Sequence, residues 1–571
     1  MKLMYQNNKY ICQSRFEEKE IPKEAGFSWD KSGKYWWTSD PDKALILIQF
    51  ADENCKKQLE IWNEQKKISI EASRAMDANI EIPLPQKINP RTGKPYELRP
   101  YQKAGIKYML GFKNCLNGDD MGTGKTVMCM GYINVFKPNK ILIISTKSSS
   151  YIWEEHLKSW LIEKIKIVRM TPDSPYAIMS YANAIIFNYD IVYKYINAIN
   201  SIDWDLIIID EIHKIKSKKA RRSYMIYGKR GNQKEGVPEI KKLSAERIIG
   251  LTGTLIVNKP HESFYILNYL MPDIFPNWYK FVGRYCNAHQ GRFGMDITGA
   301  SNLEEYQAKI RANGFIRREK KDVLTELPPK TREIITLQSN GNASLLKEEI
   351  SLYDKYENIK MQLKNLDKND LSYKQNLSQL KSEMMISFSE FSKIRHETAL
   401  AKVPAVINYI KDMLEENEKI VVFAHHLDVI AGIENAFKNC SVKLIGDMSV
   451  MEREKSKDRF FSDPDIKLFI GSIMACGEAI SLQGSSLELF IEFDPRPGIM
   501  NQCEDRLHGI LRGKVDSDEN YIPLTIQHLI LEGSIDVRIA NILVEKQEII
   551  DRATNWNESF DKSIYEEINN A

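Results

Sequence analysis

The sequence is poor in the features that mark several large protein classes. Its eight cysteines form no C-x-x-C pair, and no histidine cluster accompanies them at ligand spacing. That argues against a zinc site and for reduced thiols in a cytosolic compartment. The amino-terminal MKLMYQNNKYICQSRF lacks the apolar stretch of a secretory signal. The longest apolar runs, such as ILII (141–144) and LIII (206–209), are far too short to span a bilayer. A net charge of +3 over 571 residues gives no global basic excess, so any nucleic-acid surface has to be a local stripe. No repeat of about 20–50 residues is found. The expectation is a cytoplasmic globular chain without a membrane segment, 43% hydrophobic and 27% charged, long enough for about three or four units.

Along the chain, residues 1–55 are rich in aromatics and predict a small α+β module. KYICQSRF (9–16) and KYWWTS (34–39) alternate as strands do, and EIPKEAGFSWD (20–30) holds a short helix ending at Gly26. Residues 56–94 form a charged helical linker and a proline-rich connection that marks a domain boundary. From 95 to 338, short apolar strands alternate with helical patterns: KNCLN, ILIIS, AIIFN, LIIID and RIIGLT. Such β-branched runs suggest parallel strands buried on both faces. Residues 339–400 are charged and helical, and the alternation resumes over 401–550 with KIVVFA, VKLIG, IKLFIGS and LELFIEF. A tail, 551–571, follows. The fold class is α/β, with two parallel-sheet units separated by a helical insertion.

CLNGDDMGTGKTV (115–127) carries the first chemistry. A glycine-rich turn between a buried strand and a helix lets backbone N–H groups approach phosphate oxygens. Gly122 and Gly124, with Thr123 between them, supply that freedom; Lys125 reaches the terminal phosphates and Thr126 can ligate Mg²⁺. Yet Asp119 stands where the strict G-x-x-x-x-G-K-[ST] pattern has its first glycine, so the motif alone leaves an accidental surface turn open. WDLIIIDEIHK (204–214) decides for a nucleotide site. It places Asp210 and Glu211 at the end of a buried strand, one carboxylate to hold Mg²⁺ and one to orient the attacking water.

LRPYQKAG (98–105), DDMGTGKT (119–126), DEIH (210–213), LTGT (251–254) and QCEDRLH (502–508) occur in the order used by the Swi/Snf family of helicase-like DNA translocases, which the chain resembles from about Leu98 to Ile550. IRREKKDVLTELPPK (316–330), FSKIRHETALAKVPAV (391–406), VVFAHH (421–426) and IGDMS (445–449) look most like the HARP-related annealing-helicase branch. The chain's modest size suggests a phage or bacterial version. In that family an acidic pair precedes M-G-x-G-K-T, which accounts for Asp119.

The resemblance implies two RecA-like lobes, ATP and Mg²⁺ as ligands, and duplex or branched DNA as the track of a monomeric enzyme. It assigns Arg99 and Gln102 to the nucleotide, Gln102 recognising adenine through its amide. Lys125 and Thr126 would bind phosphates and Mg²⁺, Asp210 would hold Mg²⁺, and Glu211 would be the catalytic base. His213, Thr252 and Thr254 would couple ATP state to DNA, and GSIDVRIANILVEKQEII (533–550) would brace the lobes.

The second lobe departs from the family pattern. Gln502 and Arg506 fit Q-x-x-D-R-x-H-R, but the second arginine position is Gly509, and Ala479 in ACGEAISL (475–482) stands where glycine is usual. Three explanations compete. Arg506 acts alone; or Arg512 substitutes by leaning back over the preceding turn of a continuing helix; or the chain is a slow, ATP-dependent DNA-binding switch. A strand-separating helicase is a further alternative to the translocase.

HKIKSKKARRSYMIYGKRGNQK (213–234) is the densest basic stretch, and Lys218, Lys219, Arg221, Arg222, Lys229 and Arg230 are candidate phosphate contacts. The alternative is a solvated loop. IRREKK (316–321) offers a second basic cluster. RFEEKEIPKEAGFSWDKSGKYWWTSD (15–40) resembles a small domain at the N-termini of phage and plasmid DNA-processing proteins. Its aromatics either stack on bases or build the core of a small unit. Trp29 and one of Trp36 and Trp37 are expected in that core, since neighbours on a strand face opposite ways.

Overall fold

A computed structural model describes residues 1–89, 93–231, 239–291, 294–327, 330–339, 341–366, 373–476, 482, 485–508 and 523–555. The chain divides into two units, Met1–Ala75 and Met76–Ala571. All eight cysteines are unpaired and seven are buried.

The first unit is a four-stranded antiparallel sheet in the order β1-β2-β4-β3: β1 (Lys2–Gln6), β2 (Lys9–Gln13), β3 (Ser28–Asp30) and β4 (Tyr35–Thr38). Asn7 and Asn8 take left-handed backbone conformations, φ 48° and 59°, as a two-residue hairpin turn with the twist of its strands requires. The helix Glu53–Ala72, capped by Asp52, buries Cys55 and Leu59 against Leu3, Tyr10, Cys12 and Phe27. Those two side chains carry the unit past the expected limit at residue 55. Trp36 packs at the edge of this core. Trp29 does not lie in it, contrary to expectation, but is 46% exposed. It sits on β3, a three-residue edge strand, with its ring 5.3 Å from that of Trp36.

The second unit contains two parallel sheets. The larger has seven strands: β5 (Asn114–Asn117), β6 (Ile141–Ser145), β7 (Ile167–Arg169), β8 (Ala184–Asn188), β9 (Trp204–Ile209), β10 (Ala245–Leu251) and, beyond a hairpin of β11 (His289–Gly291) and β12 (Gly294–Asp296), β13 (Phe315–Ile316). Their order is β13-β5-β10-β9-β6-β8-β7. Successive residues of β9 enter opposite cores, Ile207 and Ile209 on one face and Leu206 and Ile208 on the other. A sheet covered on both faces in this way needs near-continuous apolar strands.

The smaller sheet has six strands, β14 (Lys330–Leu337), β15 (Ile420–Ala424), β16 (Ser441–Leu444), β17 (Leu468–Ser472), β18 (Leu487–Phe490) and β19 (Leu524–Leu531), ordered β14-β19-β18-β15-β17-β16. These are two RecA-like α/β lobes.

Two boundaries differ from the sequence reading. β14, expected in the first lobe, pairs with β19 in the second over all eight residues, so the chain crosses between lobes before Lys330. The insertion is a pair of helices, Ala343–Asn365 and Tyr373–Glu416, and the second runs past 400 because Val406 and Ile410 pack into the second lobe's core. Lys402, 2% exposed, fixes that helix by donating to the carbonyls of Ile491 and Leu529 and to Asp536 Oδ2.

The helix Asp536–Thr554 begins in one core, with Ile539, Ala540 and Leu543 in the second lobe, and ends in another, with Ile550 and Ala553 in the first. Residues 551–555 are therefore docked and not part of a tail: Arg311 donates to Thr554 O at 2.9 Å. Among the described residues no helix is long and apolar enough to cross a membrane.

Candidate functional site

The site begins where β5 stops. Asn117 ends the strand, Gly118–Gly124 turn the chain, and the helix Lys125–Phe136 starts. Gly122 and Gly124 are left-handed, φ 80° and 82°, a conformation that L side chains rarely adopt. A Cβ at Gly124 would also stand 2.5 Å from Gln102 Nε2. Two residues of the helix Pro100–Leu110 hold the turn from below, as Tyr101 Oη and Gln102 Nε2 donate to Thr123 O at 2.7 and 3.1 Å. Gln102 Oε1 accepts the Arg99 N–H, while the Arg99 guanidinium is engaged by Glu326. Thr126 lies in the helix's first turn, half-buried.

Asp119 is fully buried and ion-paired to Arg318, whose backbone N–H it also accepts at 2.9 Å. Asp120 pairs with Arg317 at 2.7 Å and accepts the Lys320 N–H at 2.8 Å. The residue standing where the strict pattern has glycine is thus a clamp that holds the loop to the chain segment after β13. This overturns IRREKK as a basic surface cluster. Arg318 and Lys320 are 3% and 4% exposed, and Arg317 is committed to Asp120, Gly118 O and Gly253 O. A charge run directly after the buried Phe315 and Ile316 was the available signal that these cations face inward.

Lys125 Nζ donates to Asp119 O and Asp120 O at 2.8 and 3.0 Å; burial lowers its pKa against the pull of Glu211. Asp210 follows β9, with Trp153 Nε1 on its Oδ2 at 3.0 Å and the Tyr189 hydroxyl on its carbonyl at 2.6 Å. No motif pointed to Trp153 or Tyr189. Burial and the adjacent Glu211 push Asp210 up. Burial opposes the charge on Glu211 too, but His213, Lys125 and Arg506 outweigh it and hold that carboxyl low.

Glu211 is itself left-handed, φ 49°, a conformation that costs a non-glycine residue free energy and clusters at functional sites. His213 Nδ1 lies 3.2 Å from Glu211 Oε2 and 3.0 Å from Thr252 Oγ1. Thr252 in turn donates its N–H to Asn117 O and accepts that of Thr254. One chain of contacts therefore links the strand before the phosphate loop, the LTGT turn and Glu211.

The second lobe faces this through the helix Pro497–Leu507. A Cβ on Gly498 would stand 2.6 Å from Thr254 Cγ2, so glycine is what lets the helix start against the first lobe. Arg506 is near enough to Glu211 to lower its pKa. Gln502 is buried and lines a cavity of about 340 Å³ between the lobes, with Met121, Thr254 and His528; Lys125, Asp210 and Glu211 are not in its wall. The helix ends at Leu507, and His508 is extended, φ −104° and ψ 100°. Ala479, Gly509 and Arg512 themselves lie outside the described residues.

A family model described as SNF2-related domain matches residues 101–397, just over half of the 571. The chain belongs to the SNF2-related family. This SNF2-related chain is 31% identical over 479 residues to the human DNA annealing helicase and endonuclease ZRANB3, covering 80% of itself and 40% of that protein. It is 27% identical over 481 residues to the Drosophila melanogaster SWI/SNF-related matrix-associated actin-dependent regulator of chromatin subfamily A-like protein 1, covering 82% and 57%. It therefore spans well under two thirds of these relatives. The structure of the Sulfolobus solfataricus SWI2/SNF2 ATPase core in complex with dsDNA aligns at a TM-score of 0.36 and 20% identity, covering 81% of this chain and 94% of that one; nothing further rests on that alignment.

Lys218, Lys219, Arg221, Arg222, Lys229 and Arg230 are all exposed, around the helix Arg221–Tyr227. Arg221 lies 4.1 Å from the Tyr193 ring and Lys229 5.2 Å from that of Tyr224. Residues 232–234 of the same basic stretch lie outside the described residues.

Proposed function

We propose that this SNF2-related chain is an ATP-dependent translocase on double-stranded or branched DNA, acting in fork remodelling or strand annealing. The observation that carries the reading is the chain of contacts from the phosphate loop to Glu211 and on to the second lobe. Asn117 O accepts the Thr252 N–H, and His213 Nδ1 lies 3.0 Å from Thr252 Oγ1 and 3.2 Å from Glu211 Oε2. The second lobe's helix starts against Thr254 at Gly498, and the charges of Lys125 and Arg506 add to that of His213 on Glu211. A carboxylate set between a phosphate-loop lysine and a facing arginine is the constellation of phosphoryl transfer driven by closure of two lobes.

The residues suit ATP with Mg²⁺. The left-handed Gly124 opens a twelve-residue helix whose first N–H groups are free of intrahelical partners, as an anion site requires. The raised pKa of Asp210 marks a buried carboxyl pair whose repulsion a divalent cation relieves. No cluster of three or more acidic, histidine or cysteine ligands occurs among the described residues, as befits Mg²⁺ held by one or two carboxylates and substrate phosphates. When bound, Mg²⁺ neutralises charge on the phosphates. The protein's own residues would do the rest: Lys125 and the loop amides would hold phosphate oxygens, and Thr126 and Asp210 would hold the metal. Glu211 orients water and takes its proton, and Arg506 meets the charge that develops on the transferred group. Gln102, which holds Thr123 O and accepts the Arg99 N–H, would meet adenine with the donor and the acceptor lone pair its amide has left.

Translocation on DNA is proposed from the family and from the exposed cations of residues 218–230, which suit sequence-independent contact with phosphates. Thr252 and Thr254 couple the two activities, the first through His213 and the second through its contact with Gly498. The N-terminal unit, with Trp29 exposed beside Trp36, is a candidate module for unpaired bases. The test is steady-state hydrolysis without DNA and with single-stranded, linear duplex and forked DNA, using Lys125→Ala as the blank. Stimulation by duplex or fork is expected. Stimulation by single strands alone would favour a strand-separating helicase, and rates equal to the blank on every DNA would favour a switch.

A further inference from the structure

We infer that Lys320 is a positioning residue for Arg506, tying the helix that carries the arginine to the phosphate loop across the lobe interface; this rests on the ATPase reading above. Two ends of one residue make the link. Its backbone N–H donates to Asp120 Oδ2 at 2.8 Å, and the flanking Arg317 and Arg318 pair with Asp120 and Asp119, so this segment moves with the phosphate loop. Its side chain, 4% exposed, crosses to the other lobe, where Nζ donates to Asp505 Oδ1 at 2.9 Å and to His508 O at 2.5 Å.

Those acceptors bracket Arg506 in sequence. His508 is the C-cap of the helix Pro497–Leu507, and a cation at a helix C-terminus is favoured by the helix dipole. Asp505 also meets Lys330, at 3.3 Å, while Glu504 binds Lys330 and Arg332 at 2.7 and 2.8 Å. Lys330 and Arg332 lie on β14, within the second lobe's own sheet, and fix the helix to that lobe. Lys320 is the cation from the first lobe that reaches the same turn. Burial lowers its pKa, and the pairing with Asp505 opposes that shift. An arginine on this helix keeps its distance from Glu211 only while the helix end is held relative to the phosphate loop. Lys320 uses two of its three donors on Asp505 and His508, which assigns it to holding and not to contact with the nucleotide.

A misplacement of about 1 Å at a reacting centre costs about 10²-fold, and that is the fall expected in DNA-stimulated kcat for Lys320→Met. The Kd for a fluorescent ATP analogue should stay within about threefold of wild type, below the tenfold that corresponds to 1.4 kcal/mol. Lys320→Arg should recover most of the rate. Added to Arg506→Ala, Lys320→Met should lower the rate no further, since it acts through the arginine. Unchanged kcat in Lys320→Met, loss of analogue binding, or effects that multiply in the double variant would overturn the inference. If Lys320→Met fails to fold, Asp505→Asn removes the same ion pair, together with the weaker one to Lys330, with little change of shape, and the same three outcomes apply. Wild-type protein inert on every DNA would overturn the ATPase reading and this inference with it; an active wild type with multiplying effects would overturn this inference alone.

Discussion

Two acidic pairs stand just beyond β5 and β9, the two parallel strands that flank β10 in the first lobe, and they are used in opposite ways. Asp119 and Asp120, after β5, are each consumed by an arginine, Arg318 and Arg317. Asp210 and Glu211, directly after β9, repel each other; His213 Nδ1 lies 3.2 Å from Glu211 Oε2, and Lys125 and Arg506 add their charge from the phosphate loop and the second lobe. The first pair is electrostatically complete within the protein and holds the backbone in place. The second is left with pKa values driven apart, one up and one down, which is the condition of groups that bind or move charge. Residue type and sequence neighbourhood are almost the same in the two pairs; what separates them is which cations the fold brings to each.

Exchanging each pair's chemistry should sharpen that contrast. Glu211→Gln keeps the size of the side chain and removes the base, so DNA-stimulated kcat should fall about 10²–10⁴-fold with the melting temperature and nucleotide affinity near wild type. Asp119→Asn should do the reverse in kind. It leaves Arg318 buried without its counter-charge, and stability should drop by about 3–5 kcal/mol, measured by thermal or denaturant unfolding. If Asp119→Asn lowered turnover at full stability, the division between clamp and site would be broken.

Glu349, a carboxyl on the insertion helix Ala343–Asn365, offers a smaller effect with a defined pH signature. It is 1% exposed and accepts the Ile535 N–H at 3.0 Å; burial, with Asp536 adding, pushes its pKa from 4.5 up to about 7. A raised carboxyl pKa means stability that is present below about 4.5 and lost as pH rises through about 7. Glu349→Gln retains an acceptor for Ile535 and cannot ionise. It should therefore be more stable than wild type at pH 8, by about 2–3 kcal/mol, with the difference closing as pH falls to about 4.5. Melting curves across that range check it, and equal pH dependence in the two proteins would contradict it.

How much of this was legible depended on the range of the interactions. ILIIS, AIIFN and LIIID declared β6, β8 and β9 because a strand buried on both faces has to be apolar at every position. Lys125, Asp210 and Glu211 were legible because the loop and the strand end are local. β14 was not: KTREIITL (330–337) has five polar residues in eight, as an edge strand can, and its partner β19 lies almost 200 residues later. Arg317, Arg318 and Lys320 looked like a solvated basic run because their partners at 119, 120 and 505 are equally remote. Trp29 erred in the other direction, since a large aromatic was assumed to be core and the three-residue edge strand that carries it has too little around it to bury the ring. The second lobe's arginine remains the least local element of the site, its charge brought towards Glu211 only through the packing of two lobes.

If the two lobes complete one catalytic site, Arg506 is the residue that joins them in it. Single-turnover and steady-state ATP hydrolysis should be measured for wild type and Arg506→Ala with saturating duplex DNA, together with nucleotide affinity. The account predicts a fall of about 10³-fold or more in rate, in line with arginine fingers elsewhere, with affinity for the nucleotide little changed. A variant that hydrolyses ATP at the wild-type rate on the same DNA would contradict it.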